Sequence, residues 1–378
     1  MKVALFSRYP NDYQQPKGGI ESVTVVLARA LSQLTDIEVH LITLERCRSE
    51  VAIEHDGEVT IHRLIGSNWP EIMDILAGPG KKRLLNYISD LKPDVLHTHE
   101  TYGLCLGNIS IPHVFTVHGF DHANLIANSA KHAWIRSPLW KYVEKYGFSK
   151  QKHIISISPY VRKMIEPLTN AKIYDIDNPV DERFFNIERK PEQGRILCVG
   201  WVNERKNTLG SVEAFAGIAG LFPQSKLIIA GQANEEEYLN RIKQSIKKHN
   251  IDNQVAILGH VNHIQLKEEL SRASILLLPS RQENAPMAIA EAMAAAIPVI
   301  VSNLCGMPYM VAEGQSGFLV DPESNEQISN RLNQLVASEQ LCKQMGEKGR
   351  QIALERFHPQ SVAQKTKVVY EQIYAEKR

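Results

Sequence analysis

Two glutamates, Glu283 and Glu291, bracket a stretch that is otherwise almost wholly apolar, "SRQENAPMAIAEAMAAAIPVIVSN" at 280–303. A carboxylate is rarely buried without a partner, because leaving water costs several kcal/mol unless the charge is hydrogen-bonded, so both residues imply polar company. Pro286 suits the first position of a helix, where its fixed φ fits and its missing N–H would have had no acceptor, and a helix is predicted over about 286–296. "SILLLPS" before it and "IPVIVSN" after it read as short strands covered on both faces. Glu283 then falls in the loop at a strand's carboxyl end, and Glu291 about one and a half turns into the helix. The backbone N–H groups of Met287 and Ala288 sit at the positive end of the helix dipole, where a phosphate is held. Two hydroxyl acceptors flanking an anion site match ribose, diphosphate and hexose in a row, the layout of a sugar nucleotide.

The elements that must place these residues alternate from end to end, short apolar strands with amphipathic helices, and predict an α/β chain. Strands are expected at 2–7, 38–43, 59–64, 94–99, 113–118 and 153–158, then at 195–200, 226–231, 255–259, 274–279 and 298–302. The pattern occurs twice, so the architecture expected is two Rossmann-like domains facing across a cleft. A charged, proline-bearing linker near 181–194 divides them into an N-terminal acceptor-binding domain, 1–183, and a C-terminal donor-binding domain, 184–358. A last helix, 359–378, could pack on either domain, including by crossing back to the first. Ligands of doubly wound sheets bind outside the carboxyl ends of the strands. Gly18, Gly19, His99, Glu100, His118, Gly119, the segment 200–206, Gly231, the segment 259–261 and Glu283 all fall there.

Composition narrows the classes. The 378 residues carry 43 Lys+Arg against 42 Asp+Glu, a balance that favours no nucleic-acid partner. Five cysteines lack CxxC spacing, and "MKVALFSRYP" opens a strand rather than a signal peptide, which predicts a reducing cytoplasm. No apolar run is long enough to span a bilayer, so membrane contact is expected to be peripheral.

Further motifs each have a bland reading beside the functional one. "PKGGIESVTVVLARAL" (16–31) lets the backbone approach a phosphate at a helix start, or is a tight turn. Arg205 and Lys206 in "VGWVNERKN" could clamp a diphosphate, or be solvated loop cations. His97 and His99 share a strand face, which is half a metal site, but no further ligand set accompanies them and no metal is expected. His118 at the end of "HVFTVH" is the better candidate for touching substrate. "WIRSPLWKYVEKYGFSKQKH" (134–153) mixes aromatics with Arg136, Lys141, Lys145, Lys150 and Lys152 against Glu144 alone. Such a segment fits an anionic membrane surface, or a buried aromatic face with a solvated basic back.

Taken in order, these motifs resemble glycosyltransferase family 4, retaining transferases of the GT-B fold. The resemblance is carried by Glu283 and Glu291 with "AMAAAIPVIVS" and "GQSGFLVDP" after them, and by "GGIESV", "KPDVLHTHE", "FTVHG", "IISISPYVR", "IDNPVD" and "VGWVNERKN", nearly the whole chain. It implies Glu291 on the donor ribose, and Glu283 with the amides of Asn284, Ala285 and Met287 on the transferred sugar. It further implies Arg205, Lys206 and Gly19 on the diphosphate, His118 near the reacting carbon as the second catalytic residue beside Glu283, and His260 and Val261 facing the base. Gly18, His99, Arg136 and Lys141 are assigned to the acceptor or membrane side. Trp201 departs from the pattern, standing where the family usually has a basic residue, so Arg205 substitutes or the clamp is weaker. The implied activity is metal-independent transfer of a hexose from a nucleoside-diphosphate sugar, UDP favoured, to a glycan acceptor. A lipid-linked acceptor for surface polysaccharide, used at the inner face of the membrane, is the leading expectation. The alternatives are a soluble small acceptor, a sugar-nucleotide epimerase, or a GT-B binding module without catalysis.

Overall fold

Aliphatic and β-branched runs form the strands of two sheets in the computed structural model, which describes residues 1–16, 18–46, 48–69, 71–76, 78–107, 109–127 and 132–377. Lys17 and Cys47, named in the sequence motifs and cysteine count, lie outside the described residues. The first sheet contains β1 (Lys2–Phe6), β2 (Glu38–Glu45), β3 (Ala52–Asp56), β4 (Val59–Ile65), β5 (Val95–His99), β6 (His113–Val117), β7 (His153–Ser156) and β8 (Lys172–Asp175). Their spatial order is β3-β4-β2-β1-β5-β6-β7-β8, parallel except for β3 on β4. The second sheet contains β9 (Arg195–Val199), β10 (Lys226–Ala230), β11 (Val255–Gly259), β12 (Ile275–Leu278), β13 (Val299–Ser302) and β14 (Gly317–Val320). Its order, β11-β10-β9-β12-β13-β14, is the Rossmann order 3-2-1-4-5-6.

Alternate residues of each central strand feed opposite cores, which is why the strands read as continuous apolar runs. Val3 and Leu5 pack with the helix Gly19–Ser32 on one face, and Ala4 and Phe6 with Leu84 and Ile88 on the other. In the second sheet Leu197, Leu276 and Leu278 face one core and Ile196, Ile275 and Leu277 the other. Every strand expected from the sequence forms, with ends shifted by at most two residues. Three further strands were not expected. β3 ("AIEHD") and β8 ("KIYD") are half-exposed edge strands without a clear apolar alternation, and β14 ("GFLV") is short and follows a glycine-bearing loop.

The chain divides into two compact units, Met1–His122 with Ser137–Pro179 and Pro359–Arg378, and Ala123–Arg136 with Val180–His358. The division at Pro179 and Val180 lies earlier than the expected 183/184. Val180 is fully buried in the second unit's core with Phe184, and its N–H donates to Phe357 O at 2.9 Å. The helix Pro359–Ala375 belongs to the first unit, packing Val362, Val369 and Ile373 into the core beside Gly19–Ser32. Its Tyr370 hydroxyl lies 2.6 Å from His97 Nδ1, and Thr116 Oγ1 lies 2.6 Å from His97 Nε2, so both nitrogens of this buried ring are engaged. Burial pushes the His97 imidazole down to about 3, and the ring is neutral at ordinary pH. Among the described residues no helix is long and apolar enough to cross a membrane. Tyr370→Phe strands one buried His97 nitrogen, and urea unfolding should register a loss of about 1–3 kcal/mol; a loss within error would mean that this bond does not help hold the last helix.

Candidate active site

In an order 3-2-1-4-5-6 sheet the connections leave the two central strands in opposite directions, and the loops after them part to make a crevice. In the second unit those strands are β9 and β12. Arg205 and Lys206 ride the loop after β9, and Glu283 the loop after β12. Topology therefore brings together residues almost eighty positions apart. The β9 loop turns at Gly200, whose φ of 128° only glycine holds without strain. Asn203 Oδ1 then accepts from Lys206 N–H at 3.0 Å, closing a single helical turn over Glu204–Lys206. The two loops are joined by Arg281 N–H to Arg205 O at 2.8 Å.

Across that junction one carboxylate oxygen takes two cations. Arg205 Nη1 donates to Glu283 Oε1 at 2.6 Å and to Gln282 O at 3.0 Å, while Lys206 Nζ lies 2.5 Å from the same Oε1. The Glu283 side chain is only 12% exposed. Its backbone is held from below, because Gly306 N–H donates to Glu283 O at 2.8 Å. A Cβ on Gly306 would stand 1.6 Å from Asn284 O, so this close approach admits glycine alone. These are the polar partners that the sequence demanded for Glu283.

Glu291 finds a different environment. The helix runs Met287–Ala294, shorter than expected at both ends. Pro286 is the extended N-cap rather than the first helical residue, and Ala296 takes a φ of 56°, which ends the helix. Glu291, on the second turn, is 7% exposed, and burial, with Asp181 adding repulsion and Lys206 opposing it, lifts its carboxyl to about 7. The amides of Met287 and Ala288 precede the first intrahelical bond, Ile289 N–H to Pro286 O at 3.1 Å. The second unit thus offers two cations, helix-start amides and two glutamates, a set suited to a diphosphate with hydroxyl-bearing groups on either side.

Other predicted residues are placed less tightly. Asn284 is buried, with its Oδ1 accepting from Gln282 Nε2 at 3.3 Å, while Ala285, Met287 and Val261 pack partly against the core. His260 is exposed after Gly259, and among the described residues it makes no hydrogen bond to Arg205, Lys206 or Glu283. Asp181 was missed as a neighbour of Glu291, and Gly306 as the support under Glu283. Neither carries a local signal, since each acts through a fold contact.

The first unit has its own switch point between β1 and β5. Arg8, after β1, lies 3.6 Å from Glu100, after β5, and its Nε donates to Tyr102 Oη at 3.3 Å. Fully buried Arg63 fastens the β1 loop by donating to Pro10 O at 2.9 Å while its Nε donates to Glu54 at 2.8 Å. Gly18 is the N-cap of Gly19–Ser32 with an extended φ of −175°, and a Cβ there would meet no protein atom, so the chain's own geometry does not require glycine. His99 Nδ1 and His118 Nε2 are 2.9 Å apart, and burial pushes His118 down to about 4. Arg136 and Lys141 are exposed on the helix Ala133–Ser149.

Two protein families match this chain: "Glycosyltransferase Family 4" over residues 17–184 and "Glycosyl transferases group 1" over 180–352. An uncharacterised glycosyltransferase of Methanocaldococcus jannaschii is 26% identical over 370 residues, covering 96% of this chain and 97% of that protein. Sucrose-phosphate synthase from Thermosynechococcus elongatus superposes with a TM-score of 0.82 at 20% identity, covering 99% of each chain. Anabaena HepE in complex with UDP-glucose superposes with a TM-score of 0.70 at 16% identity, covering 99% of this chain and 100% of that one. These structures share the GT-B fold.

The raised Glu291 carboxyl makes a prediction about stability. Between about pH 4.5 and 7 the folded state holds a proton that the unfolded state has lost, so stability falls as pH rises through that window and levels off above it. Glu291→Gln removes the effect. Denaturation at several pH values should show the wild type losing on the order of 3 kcal/mol relative to the variant across the window, and parallel curves would refute the assignment.

Proposed function

The chain belongs to glycosyltransferase family 4, and from that premise we propose that it moves a hexose from a nucleoside-diphosphate sugar, UDP favoured, to a glycan acceptor with retention of anomeric configuration. The observation that carries this reading is Glu283 shared by Arg205 and Lys206 at the switch point of the second sheet. A diphosphate competes with the carboxylate for both cations. Once displaced, Glu283 is left to accept hydroxyls of the transferred sugar, while the cations and helix-start amides stabilise the leaving charge. Glu291 is the ribose acceptor in this reading. The leaving charge is met by protein groups, so the reading requires no metal. The parts given to Gly19 and His118, toward the diphosphate and the reacting carbon, rest on the family resemblance. Retention would come from attack on the face the diphosphate leaves, with the diphosphate helping to take the acceptor's proton. HepE, of the same fold, binds UDP-glucose, which supports UDP as the first nucleotide to try.

We propose further that the acceptor is lipid-linked and serves surface polysaccharide, the enzyme working at an anionic membrane surface. Support comes from Ala133–Ser149, on which Ile135, Leu139, Tyr142 and Tyr146 form an exposed helical stripe beside Trp134, itself 78% exposed, with Arg136, Lys141 and Lys145 exposed around them. Pelleting with phosphatidylglycerol vesicles, and its loss in Trp134→Ser/Tyr142→Ser, is expected. Retention in the supernatant would favour a soluble acceptor.

The donor site is tested by thermal shift with UDP, GDP, ADP, TDP and CDP, in EDTA throughout. A nucleotide at about a hundred times its Kd should add about 2.7 kcal/mol, and one clear winner is expected. Glu283→Gln should still bind that nucleotide yet transfer sugar on the order of a hundredfold more slowly. An unchanged rate would remove Glu283 from the chemistry.

A further inference from the structure

Glu144 is the only acid in the aromatic and basic segment 134–153, and it does not face outward with the cations. It is 2% exposed. Its Oε2 holds His122 Nδ1 in a short hydrogen bond and its Oε1 accepts from His122 N–H at 3.2 Å. Ser137 Oγ, from the same helix, donates to His122 O at 3.0 Å. Phe120, fully buried, sets its ring edgewise to the imidazole at 6.0 Å. His122 is therefore fixed at its backbone N–H, its carbonyl and one ring nitrogen. With Nδ1 bound to the carboxylate, Nε2 is the ring nitrogen left for a further hydrogen bond. That nitrogen has no hydrogen bond among the described residues, and the side chain keeps 16% exposure. Pinning one helix to another would not need an imidazole locked on one side and open on the other.

We propose that His122, oriented by Glu144, binds a neutral hydroxyl of the acceptor's terminal sugar through Nε2. The inference rests on the acceptor half of the proposed function and names the residue and the ligand chemistry. Position supports it, since His122 follows β6 by only a few residues and so lies at the carboxyl end of the first sheet, where ligands of such sheets bind. Charge sets the class of ligand. Asp121 is adjacent, its carboxyl lifted to about 6 by burial and by Glu144 against the opposing pull of Arg8 and His122, and with two acids at the ring an anion such as a sugar phosphate is the less favoured ligand. A hydroxyl both donates and accepts, so it can pair with Nε2 whether or not that nitrogen carries a proton, and it suffers no such repulsion. One helix then serves two ends of a lipid-linked acceptor, offering its aromatic stripe to the lipid and its buried acid to the residue that holds the sugar.

Asn places its amide nitrogen near the position of Nδ1, so His122→Asn can keep the bond to Glu144 while deleting Nε2. The experiment measures nucleoside diphosphate release from the preferred nucleotide sugar with octyl β-D-glucoside, galactoside and N-acetylglucosaminide as acceptor probes. With the glycoside that stimulates release, His122→Asn should raise acceptor KM about threefold to tenfold, leaving nucleotide affinity and acceptor-independent donor hydrolysis unchanged. Glu144→Gln, which loosens the ring without removing Nε2, should raise acceptor KM by less. An unchanged acceptor KM in His122→Asn, or an equal loss of nucleotide affinity, would overturn the proposal. A wild type that binds nucleotide but responds to none of the glycosides would overturn it alone, whereas a wild type that binds no nucleotide would overturn the donor reading with it.

Discussion

A carboxylate that is almost wholly withdrawn from water needs compensating charge, and Glu283 takes two cations on a single oxygen. That requirement organises the second unit. The cations come from the loop after β9 and the carboxylate from the loop after β12, so the sheet must place these strands side by side and send their connections apart. The loops must then hold their shape, which Asn203, Gly200 and the Arg281-to-Arg205 backbone bond secure on one side and Gly306 on the other. Breaking one partner of such a group leaves buried charge uncompensated, so these supporting contacts hold the charge cluster as well as the fold.

The first unit solves a different problem, that of burying polar rings among apolar strands. Its histidines do so in pairs and chains. Tyr370, His97 and Thr116 form one, His99 and His118 another, and Glu38, His40, His62 and Tyr87 a third, with His40 Nδ1 to His62 Nε2 at 2.8 Å and His62 Nδ1 to Tyr87 Oη at 2.8 Å. Burial keeps His62, His97 and His118 neutral at ordinary pH, so each ring offers one donor and one acceptor. Of the histidines after β6, His118 pairs with His99, while His122 is clamped at Nδ1 by Glu144 and, among the described residues, has no hydrogen bond at Nε2.

Much of the fold was legible because buried parallel strands need uniformly apolar residues on both faces, and runs such as "KVALF", "RILCV" and "ILLL" have no other stable use. The edge strands β3 and β8 were not, since half their side chains face water and their composition carries no period. The two-residue loop Gly57-Glu58 between β3 and β4 was a hairpin signal that went unused, with Gly57 at a φ of 59°. The helix around Glu291 was placed correctly in kind and wrongly at its ends, because Pro286 can serve as either N-cap or first residue and the stop at Ala296 depends on backbone geometry.

At the site, the sequence by itself determined the chemical types: two glutamates flanking a helix start, a basic pair after a strand, and a histidine after another. Spacing along one loop or one helix is a local property, and it is written in the order of residues. Only the tertiary structure decided which of them meet. Arg205 reaches Glu283 because β9 and β12 are neighbours, and Glu291 is lifted to about 7 because it is buried, with Asp181 adding repulsion. Glu144 turns inward to His122 although it stands among exposed cations. Burial and strand order are sums over distant parts of the chain, and no window of neighbouring residues contains them.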